Sequence, residues 1–360
     1  MIRVYIEKKD APPLTPSLVF WPNYRYPFKK NKPFMADIME AYQKSFFTVT
    51  SSVAEADFLA IPYDYFDTLR YAPNYLKHVY RLAEETKKKV LLFDYTDYVD
   101  TNIHIPSNAV LFRVSAYRHH KRHNEIIMPY FVEDLGTRYS IAPKEKGTPL
   151  LVGYCGQARF GSTTKKWKAM IKRLLYALIL QVRCDKNPRT HMRGIFWRIA
   201  AILSLRKGNI KTHIIERSFY SLHLSGVTLD PRDIRKTYVD NLRECDLALS
   251  VRGDANASQR FYEALSASRI PLLLDTDSVL PLEELIAYDD FILRVPSHDV
   301  ERISEYVRAW DIAHSSGKFL EKESCAREVY GNYLRLDRYF EIVFNQVSSP
   351  YKHILFAHDH

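Results

Sequence analysis

Residues 238–274 read YVDNLRECDLALSVRGDANASQRFYEALSASRIPLLL, a succession of apolar runs and polar breaks. The apolar run 247–251 predicts a buried strand, and the polar, glycine-containing segment 252–258 predicts a loop. Good helix formers follow over 259–268, and a second apolar run at 270–274 predicts another buried strand. Strand, helix and strand in this order are typical of a parallel sheet with helices on its faces.

The polar residues of this stretch lie where a parallel sheet binds its ligands. Arg252 follows the first predicted strand, while Ser258 and Arg260 stand at the predicted helix N-terminus. Free backbone N–H groups, the positive end of the helix dipole and two guanidinium groups together favour phosphate. Ligands of such sheets bind at the carboxyl ends of the strands. The sequence therefore predicts an anion site, and especially a phosphate site, at this loop.

Glu263 extends the predicted site because it stands three residues after Arg260 on the same helix face. In one interpretation Arg260 holds a phosphate and Glu263 accepts hydrogen bonds from ribose hydroxyls. In the other interpretation the two side chains form an exposed ion pair that only decorates the helix. The spacing alone favours neither interpretation.

The same residues carry a family resemblance. The run 258–274 follows the pattern S-x-R-F-Y-E-A-L-x-A-x-x-I-P-x-L-L, and it is followed by Leu-Pro at 280–281 and an acidic-aromatic segment ending at Phe291. This pattern resembles the C-terminal signature of the exostosin-like glycosyltransferases, glycosyltransferase family 47. That family often has Gly-Cys before the Ile-Pro, whereas this chain has Ser-Arg at 268–269.

Two further segments are similar to that family. Residues 54–63, AEADFLAIPY, resemble the start of a strand in its N-terminal half, and 153–156, GYCG, resemble the strand that opens its second half. The resemblance implies an α/β protein of the GT-B type, in which two Rossmann-like domains face each other across a cleft. We expect an N-terminal acceptor-side domain at 1–145 and a C-terminal nucleotide-sugar-binding domain at 146–360, with the last helix packing back on the first domain.

The resemblance also implies an activity, the inverting transfer of a sugar from a nucleotide donor to a glycan or lipid-linked acceptor in polysaccharide biosynthesis. The donor is expected to be UDP- or GDP-linked. No cofactor and no metal ligand are expected, because the nucleotide sugar is itself a substrate. The residues predicted to bind the donor are Arg252, Asp254, Ser258, Arg260, Glu263 and Gly156.

Inverting transfer needs a general base for the acceptor hydroxyl, and it needs cations or dipoles for the leaving diphosphate. The guanidinium groups of the predicted phosphate site fit the second need. For the base, Asp97 and Asp94 follow a predicted buried strand of the first domain and are the first choice. Asp64 and Glu133 are the second choice for the base. Each of these carboxylates could equally cap a turn or a helix.

The composition agrees with a two-domain protein that handles an anion. The 360 residues exceed one ordinary core, and a hydrophobic content of 46% indicates a globular chain. A net charge of +10 predicts an anionic partner such as a nucleotide phosphate or an acidic lipid surface. The four cysteines form no C-x-x-C pair, which is typical of reduced thiols. Because 1–10 lacks a signal-peptide pattern, we expect a cytoplasmic location.

Residues 165–211 are the most basic part of the chain. Thirteen lysines and arginines stand there against a single acid, Asp185, and they alternate with aromatic and aliphatic residues. A basic amphipathic helix with tryptophan favours peripheral contact with an anionic membrane. The alternative is a pair of core-packing helices with a basic outer face. No nucleic-acid recognition motif is present, so nucleic acid is not an expected partner.

Outside these motifs, three segments yield simpler expectations. A long loop over 11–33 brings Arg25, Lys29 and Lys30 either to the acceptor or into solvent. A helix is expected over 34–44. A second, much longer helix is expected from about 325 through 347.

Two patterns suggest metal chemistry instead. Asp275-Thr276-Asp277 is a D-x-D, which in another glycosyltransferase fold holds a divalent cation against the donor diphosphate. A metal-dependent transferase of that kind is the first alternative function. The histidine-rich tract 119–123 contains Lys and Arg that repel a cation, which favours a solvated basic loop. The second alternative function is a non-catalytic basic protein that binds a sugar nucleotide or an anionic membrane surface.

Overall fold

The computed structural model describes residues 2–24, 42, 45–101, 103–182, 190–219 and 229–356. The helix expected over 34–44 lies outside these residues. So do several of the residues weighed above, namely Arg25, Lys29, Lys30, Arg183, Cys184, Asp185, Lys186 and Arg189.

The first half of the chain forms a six-stranded parallel sheet in the order β2-β1-β3-β4-β5-β6. Its strands are β1 (Ile2–Tyr5), β2 (Phe47–Thr50), β3 (Phe58–Asp64), β4 (Val90–Asp94), β5 (Ala109–Arg113) and β6 (Glu125–Ile127). Two helices, α1 (Tyr65–Tyr71) and α2 (Pro73–Thr86), cross over between β3 and β4. Leu76 and Val79 of α2 pack in the hydrophobic cluster on one face of this sheet. The central strands β3, β4 and β5 are therefore mostly apolar up to the charged residue that ends each of them, as is typical of parallel strands buried on both faces.

The second half forms a five-stranded parallel sheet in the order β11-β10-β9-β7-β8. Its strands are β7 (Val152–Gln157), β8 (Thr212–Arg217), β9 (Leu247–Ser250), β10 (Ile270–Asp275) and β11 (Leu293–Pro296). Six helices surround or precede them: α3 (Leu135–Tyr139), α4 (Thr163–Val182), α5 (Gly194–Lys207), α6 (Pro231–Glu244), α7 (Gln259–Ser266) and α8 (Ile303–Ala313). The α/β class is confirmed, and the strand, helix and strand expected within 238–274 are confirmed as β9, α7 and β10.

Ser268 and Arg269, which stand where the resembled family often has Gly-Cys, both have structural roles. Ser268 adopts a φ of 54°, the left-handed conformation that glycine favours, at the end of α7. Arg269 is fully buried and donates hydrogen bonds to the Leu242 carbonyl at 3.1 Å and to the Glu323 carboxylate at 3.1 Å. The arginine therefore ties α6 and the C-terminal region to the turn before β10.

The long helix expected from about 325 through 347 is wrong. The chain instead forms α9 (Ser316–Val329), a short π-helical segment at Tyr330–Leu334 and a separate helix α10 (Leu336–Val343), followed by α11 (Lys352–Leu355). The break falls at Arg335, whose backbone is extended with φ −66° and ψ 130°. The Arg335 guanidinium pairs with Asp337 at 2.8 Å, so the break is held by a local ion pair that follows it in sequence.

These C-terminal helices pack on the sheet of the first half. The Tyr339 hydroxyl donates to the carbonyl of Ile127 at 2.8 Å, and the Phe340 ring lies 5.5 Å from the Phe47 ring. Lys89 donates from its ammonium group to the carbonyl of Ile354 at 2.7 Å. The second face of the first sheet is thus covered by residues from the other end of the chain. Over the described residues, no helical segment has both the length and the apolar character needed to span a bilayer.

Candidate functional site

A cleft of about 670 Å³ lies at the carboxyl ends of strands from both sheets. The first half contributes Asp64 at the end of β3 and residues that follow β3 and β4, including Asp97. The second half contributes the end of β7, residues that follow β9 and residues from α6 and α7. Ligand sites of this size are typical for small molecules, and parallel sheets bind ligands at this edge. The cleft is therefore the candidate functional site.

Arg260, at the N-terminal end of α7, is a buried cation that lines this cleft. Its guanidinium lies between two aromatic rings, 5.5 Å from that of Tyr154 and 5.0 Å from that of Tyr238. It donates to the Asn241 side-chain oxygen at 2.7 Å and more weakly to the Cys155 carbonyl at 3.4 Å. Among the described residues it forms no ion pair, and its Nε has no hydrogen-bond partner. A buried cation balanced only by neutral groups is costly, which favours an anionic ligand here.

Glu263 lies one turn along α7 and does not pair with Arg260. Its carboxylate accepts hydrogen bonds from the Tyr238 hydroxyl and from the Arg235 guanidinium, the latter at 3.3 Å. Arg235 also pairs with Glu133. Because Arg260 and Glu263 are only 7% and 6% exposed, the interpretation of an exposed, decorative ion pair is wrong.

Three further residues predicted to bind the donor also line the cleft, namely Gly156, Asp254 and Ser258. The Ser258 side chain precedes α7 but makes no capping hydrogen bond, in contrast to the usual role of serine at that position. Asp254 pairs with Arg193 at 3.2 Å. A Cβ atom at Gly156 would lie 3.1 Å from the Tyr154 hydroxyl, so a side chain there would press on the ring that covers Arg260.

Arg252, the remaining residue predicted to bind the donor, does not line the cleft. Its guanidinium donates to the Tyr117 hydroxyl at 2.6 Å and to the Thr190 carbonyl at 2.7 Å. It also donates to the carbonyls of Asp254 at 2.8 Å and Ala255 at 3.2 Å. The side chain is only 3% exposed. Arg252 therefore fixes the shape of the loop between β9 and α7 from inside the protein.

Two of the carboxylates predicted as bases face the cleft. Asp97 accepts a hydrogen bond from the backbone N–H of Ala255 at 3.0 Å, and burial raises its pKa. Asp64 caps α1 through the Phe66 N–H at 2.9 Å and accepts another bond from the Tyr95 N–H at 2.9 Å. Burial raises the pKa of Asp64 to about 7. A general base is most effective when its pKa lies near the working pH, which favours Asp64 on electrostatic grounds.

Asp94 and Glu133 have different surroundings. Asp94 is buried, does not line the cleft and pairs with Arg113 at 2.9 Å. Burial raises its pKa despite that partner. Glu133 is likewise buried and pairs with Arg138 at 2.6 Å as well as with Arg235. Of the four carboxylates predicted as bases, the structure therefore brings Asp64 and Asp97 to the cleft and leaves Asp94 and Glu133 in ion pairs.

Several residues that surround Arg260 were not predicted from the sequence as part of the site. Tyr154, Arg235 and Tyr238 line the cleft, and Asn241 holds the Arg260 guanidinium. A signal for the α6 residues exists, since Arg235 and Tyr238 stand three residues apart and share a helix face. Their role, however, depends on contacts with another helix that a local pattern does not contain.

The D-x-D carboxylates do not point to a metal in the cleft. Asp275 pairs with Arg294 at 2.9 Å, Asp277 bonds to His119, and neither lines the cleft. A different group could hold a metal ion. His119, His120 and His191 each offer a ring nitrogen, and these atoms lie within 4.8 Å of one another. The expectation of a solvated basic loop at 119–123 is therefore wrong for His119, which packs against the second half.

No protein-family model matches this chain, and no curated protein matches it either. The resemblance to the exostosin-like glycosyltransferases therefore stays a prediction. The function has to be argued from the chemistry of the cleft.

Proposed function

We propose that this protein is an inverting glycosyltransferase of the GT-B type, which transfers a sugar from a UDP- or GDP-linked donor to a glycan or lipid-linked acceptor. One observation carries the proposal: Arg260 is a buried cation that lines the cleft and forms no ion pair within the described part of the chain. A diphosphate would balance this charge, and the N-terminus of α7 beside it also favours phosphate.

The second half of the chain would hold the donor. Its diphosphate would lie against Arg260 and the first turn of α7, next to Ser258. Glu263 would accept hydrogen bonds from ribose hydroxyls, because Tyr238 and Arg235 hold its carboxylate at the cleft. A carboxylate oxygen accepts more than one hydrogen bond, so these contacts leave room for a ligand.

The first half would supply the base for a single displacement. The acceptor hydroxyl attacks C1 of the sugar while the bond from C1 to the diphosphate oxygen breaks, so the anomeric configuration inverts. The hydroxyl proton passes to Asp64 or Asp97. Arg260 stabilises the charge on the nucleoside diphosphate that leaves. The proposal requires no metal in the cleft, since Asp275 and Asp277 are engaged elsewhere.

We also propose that the protein works in the cytoplasm, at the inner face of the membrane. The thiols of Cys155, Cys245 and Cys325 are free. Reduced thiols, of which those of Cys155 and Cys245 are buried, are typical of a reducing compartment.

The test is the thermal stability of the purified protein with UDP, GDP, CMP and ADP, each with and without EDTA. A nucleotide at a hundred times its Kd adds about 2.7 kcal/mol to the free energy of unfolding. We expect one nucleoside diphosphate to stabilise the protein by the same amount with and without the chelator. The variant Arg260→Met, which keeps an unbranched aliphatic stem but removes the charge, should lose this stabilisation and sugar transfer.

Arg302→Met is the matched control, because Arg302 lies on the surface away from the cleft. It should keep both stabilisation and transfer. An Arg260→Met protein with normal turnover would contradict the proposed glycosyltransferase activity. Stabilisation that needs a divalent cation would favour the D-x-D alternative, and nucleotide binding without transfer to any acceptor or water would favour the non-catalytic alternative.

A further inference from the structure

Helix α4 exposes a broad apolar face to solvent. Six of its large apolar side chains are between 55% and 83% exposed, namely Trp167, Ile171, Leu174, Leu175, Leu178 and Val182. At 100° per residue they lie on one side of the helix. Ala169, on the opposite side, is buried against the protein. The apolar side chains therefore face outward. The alternative of a pair of core-packing helices is wrong for α4, whereas α5 does pack in the core through Trp197 and Ile202.

Cations border one edge of this apolar face. Lys168 and Lys172 lie along that edge, given the helical period. Arg173 instead lies over the Phe196 ring at 5.1 Å, toward the protein. The twenty residues of α4 contain no acid. Long basic side chains at the rim of an apolar stripe can extend to phosphate groups while the stripe is buried.

We propose that α4 lies in the interface of a membrane that contains anionic lipids, with its axis parallel to the surface and its apolar face embedded. Charge complementarity selects this occupant over a second copy of the chain, since two such faces would bring cations together with no acid from either helix to offset them. This inference does not depend on the proposed transfer reaction.

The test is flotation of the full-length protein with phosphatidylcholine vesicles, with and without phosphatidylglycerol. We expect binding to the anionic vesicles only, weakened by salt. Leu174→Asp with Leu178→Asp should reduce binding about tenfold or more, because charges would enter the apolar layer. Lys168→Gln with Lys172→Gln should reduce it by about fivefold for each lysine removed.

The matched control is Ile312→Asp with Val347→Asp, which changes two exposed apolar residues elsewhere, 87% and 86% exposed. It should bind vesicles as the unaltered protein does. Equal binding of the Leu174→Asp, Leu178→Asp variant would overturn the proposal. So would failure of the unaltered protein to bind anionic vesicles at low salt. A dimer that dissociates in that variant, with no vesicle binding, would assign the face to a second copy.

A second inference rests on the histidine cluster of His119, His120 and His191. His119 and His120 belong to a short helical turn that follows β5, and His191 precedes α5. The Nδ1 atom of His191 hydrogen-bonds to Asp100 at 2.5 Å, and that of His119 bonds to Asp277. Metal-binding histidines commonly have such a carboxylate on the nitrogen that faces away from the ion, which orients the ring.

We infer that this cluster binds a transition-metal ion, with zinc the best fit to three imidazole ligands. The two carboxylates offset the positive charge that Lys and Arg of 119–123 place nearby. Asp100, His119 and His120 come from the first half, whereas His191 and Asp277 come from the second half. The site would therefore join the two halves of the chain. Arg252 contacts Tyr117 and Thr190, next to the cluster, so the ion would help to hold the loop that borders the cleft.

The metal content of protein purified without chelators tests this inference. We expect about one zinc ion per chain in the unaltered protein and in His123→Ala, the control from the same tract, and a loss of zinc in His191→Ala. EDTA should lower the melting temperature of the unaltered protein and of His123→Ala, and it should leave that of His191→Ala unchanged. Protein without zinc that zinc addition does not stabilise would overturn the inference, as would zinc retained by His191→Ala. The change in melting temperature that a nucleotide causes is measured separately for protein with and without zinc. Failure of the zinc proposal can therefore be distinguished from failure of the proposed function.

Discussion

Arg260 differs from Arg113 and Arg269, two other buried arginines, in how its charge is balanced. Arg113 pairs with Asp94 at 2.9 Å, and Arg269 pairs with Glu323 at 3.1 Å. Arg260 has only an amide oxygen, a carbonyl and two aromatic faces around it. Aromatic faces attract a cation by about 0.5–2 kcal/mol, which is less than the cost of burying one. The charge on Arg260 is therefore available to a ligand, whereas Arg113 and Arg269 are held in ion pairs within the fold.

A first prediction concerns Asp64, whose pKa is raised to about 7 by burial. If Asp64 is the base, kcat/KM should rise with pH through about 7 and level off above it. Asp64→Asn should lose transfer. It should also be more stable than the unaltered protein above that pH. The pKa of Asp64 is about 7 in the folded protein and 3.8 in the unfolded chain. Ionisation of Asp64 therefore lowers the free energy of unfolding as pH rises from 3.8 to about 7, and Asn carries no such charge.

Asp97→Asn and Asp67→Asn complete this experiment. Asp67 also borders the cleft and serves as the control, which should keep transfer. Loss of transfer in Asp97→Asn alone would identify Asp97 as the base. The pH profile would then report Asp97, whose pKa is also raised by burial.

A second prediction concerns Arg113, which pairs with Asp94 and Glu125 in the core. Arg113→Met should destabilise the protein by about 3–5 kcal/mol near neutral pH, because it leaves Asp94 buried without its cation and leaves Glu125 with Arg122 alone. The loss should shrink at lower pH, where Asp94 is protonated readily because its pKa is raised. Urea denaturation at several pH values measures this. Arg338→Met, at an exposed ion pair, should leave the midpoint near that of the unaltered protein.

At this scale the sequence identifies residue types but not the directions of side chains. Arg252 and Arg260 had the same predicted role, and five of the six residues predicted to bind the donor do line the cleft. Arg252 is turned away by Tyr117 and Thr190, which are 135 and 62 residues distant in sequence. Such distant partners leave no trace in a local pattern. The same reason separates Asp97, at the cleft, from Asp94, which pairs with Arg113 in the core.

Elements whose signal is local could be predicted well. β9, α7 and β10 follow from two short apolar runs and the helix formers between them, and each begins within one residue of its expected position. The expected helix from about 325 through 347 failed because its apolar spacing continues through a break. The break at Arg335 depends on where α10 must turn to reach the first sheet, and that is a property of the assembled fold.

A third prediction concerns the docking of α9 on the second half through Arg269 and Glu323. Arg269→Met should lower the free energy of unfolding by about 3–5 kcal/mol, because it leaves the Glu323 carboxyl buried without its cation. Adding Glu323→Met should recover part of this loss, since an apolar pair can replace a buried ion pair. Denaturant titrations of the two single variants and the double variant measure the coupling. Strictly additive losses would show that the pair does not act as a unit.

At the scale of the whole molecule, the two sheets are joined by more than the connection between β6 and β7. The polypeptide forms the first sheet, then the second, and returns to the first through α10 and α11. The Phe340 ring lies 5.5 Å from Phe47 and 6.1 Å from Phe112, within one cluster that contains residues of both halves. The two halves therefore share a core and should not unfold independently.

A fourth prediction follows from that shared core. Phe340→Ala should lower the free energy of unfolding by about 3–5 kcal/mol, because it opens a cavity among buried rings. Both halves should still unfold in one transition. Val347→Ala, at a residue that is 86% exposed, should change stability by less than about 0.5 kcal/mol. Differential scanning calorimetry distinguishes one transition from two, and two resolved transitions in the unaltered protein would contradict the shared core.

The return of the C-terminal helices to the first sheet also has a consequence for synthesis on the ribosome. Strands β1 to β6 leave the ribosome first, but one face of their sheet is covered only after Tyr339 and Phe340 have been synthesised. At about 5–20 residues per second, this face stays uncovered for roughly ten seconds or more while the second half is made. Nascent chains halted before α10 should therefore expose an apolar sheet face to chaperones, and release of the complete chain should end that exposure.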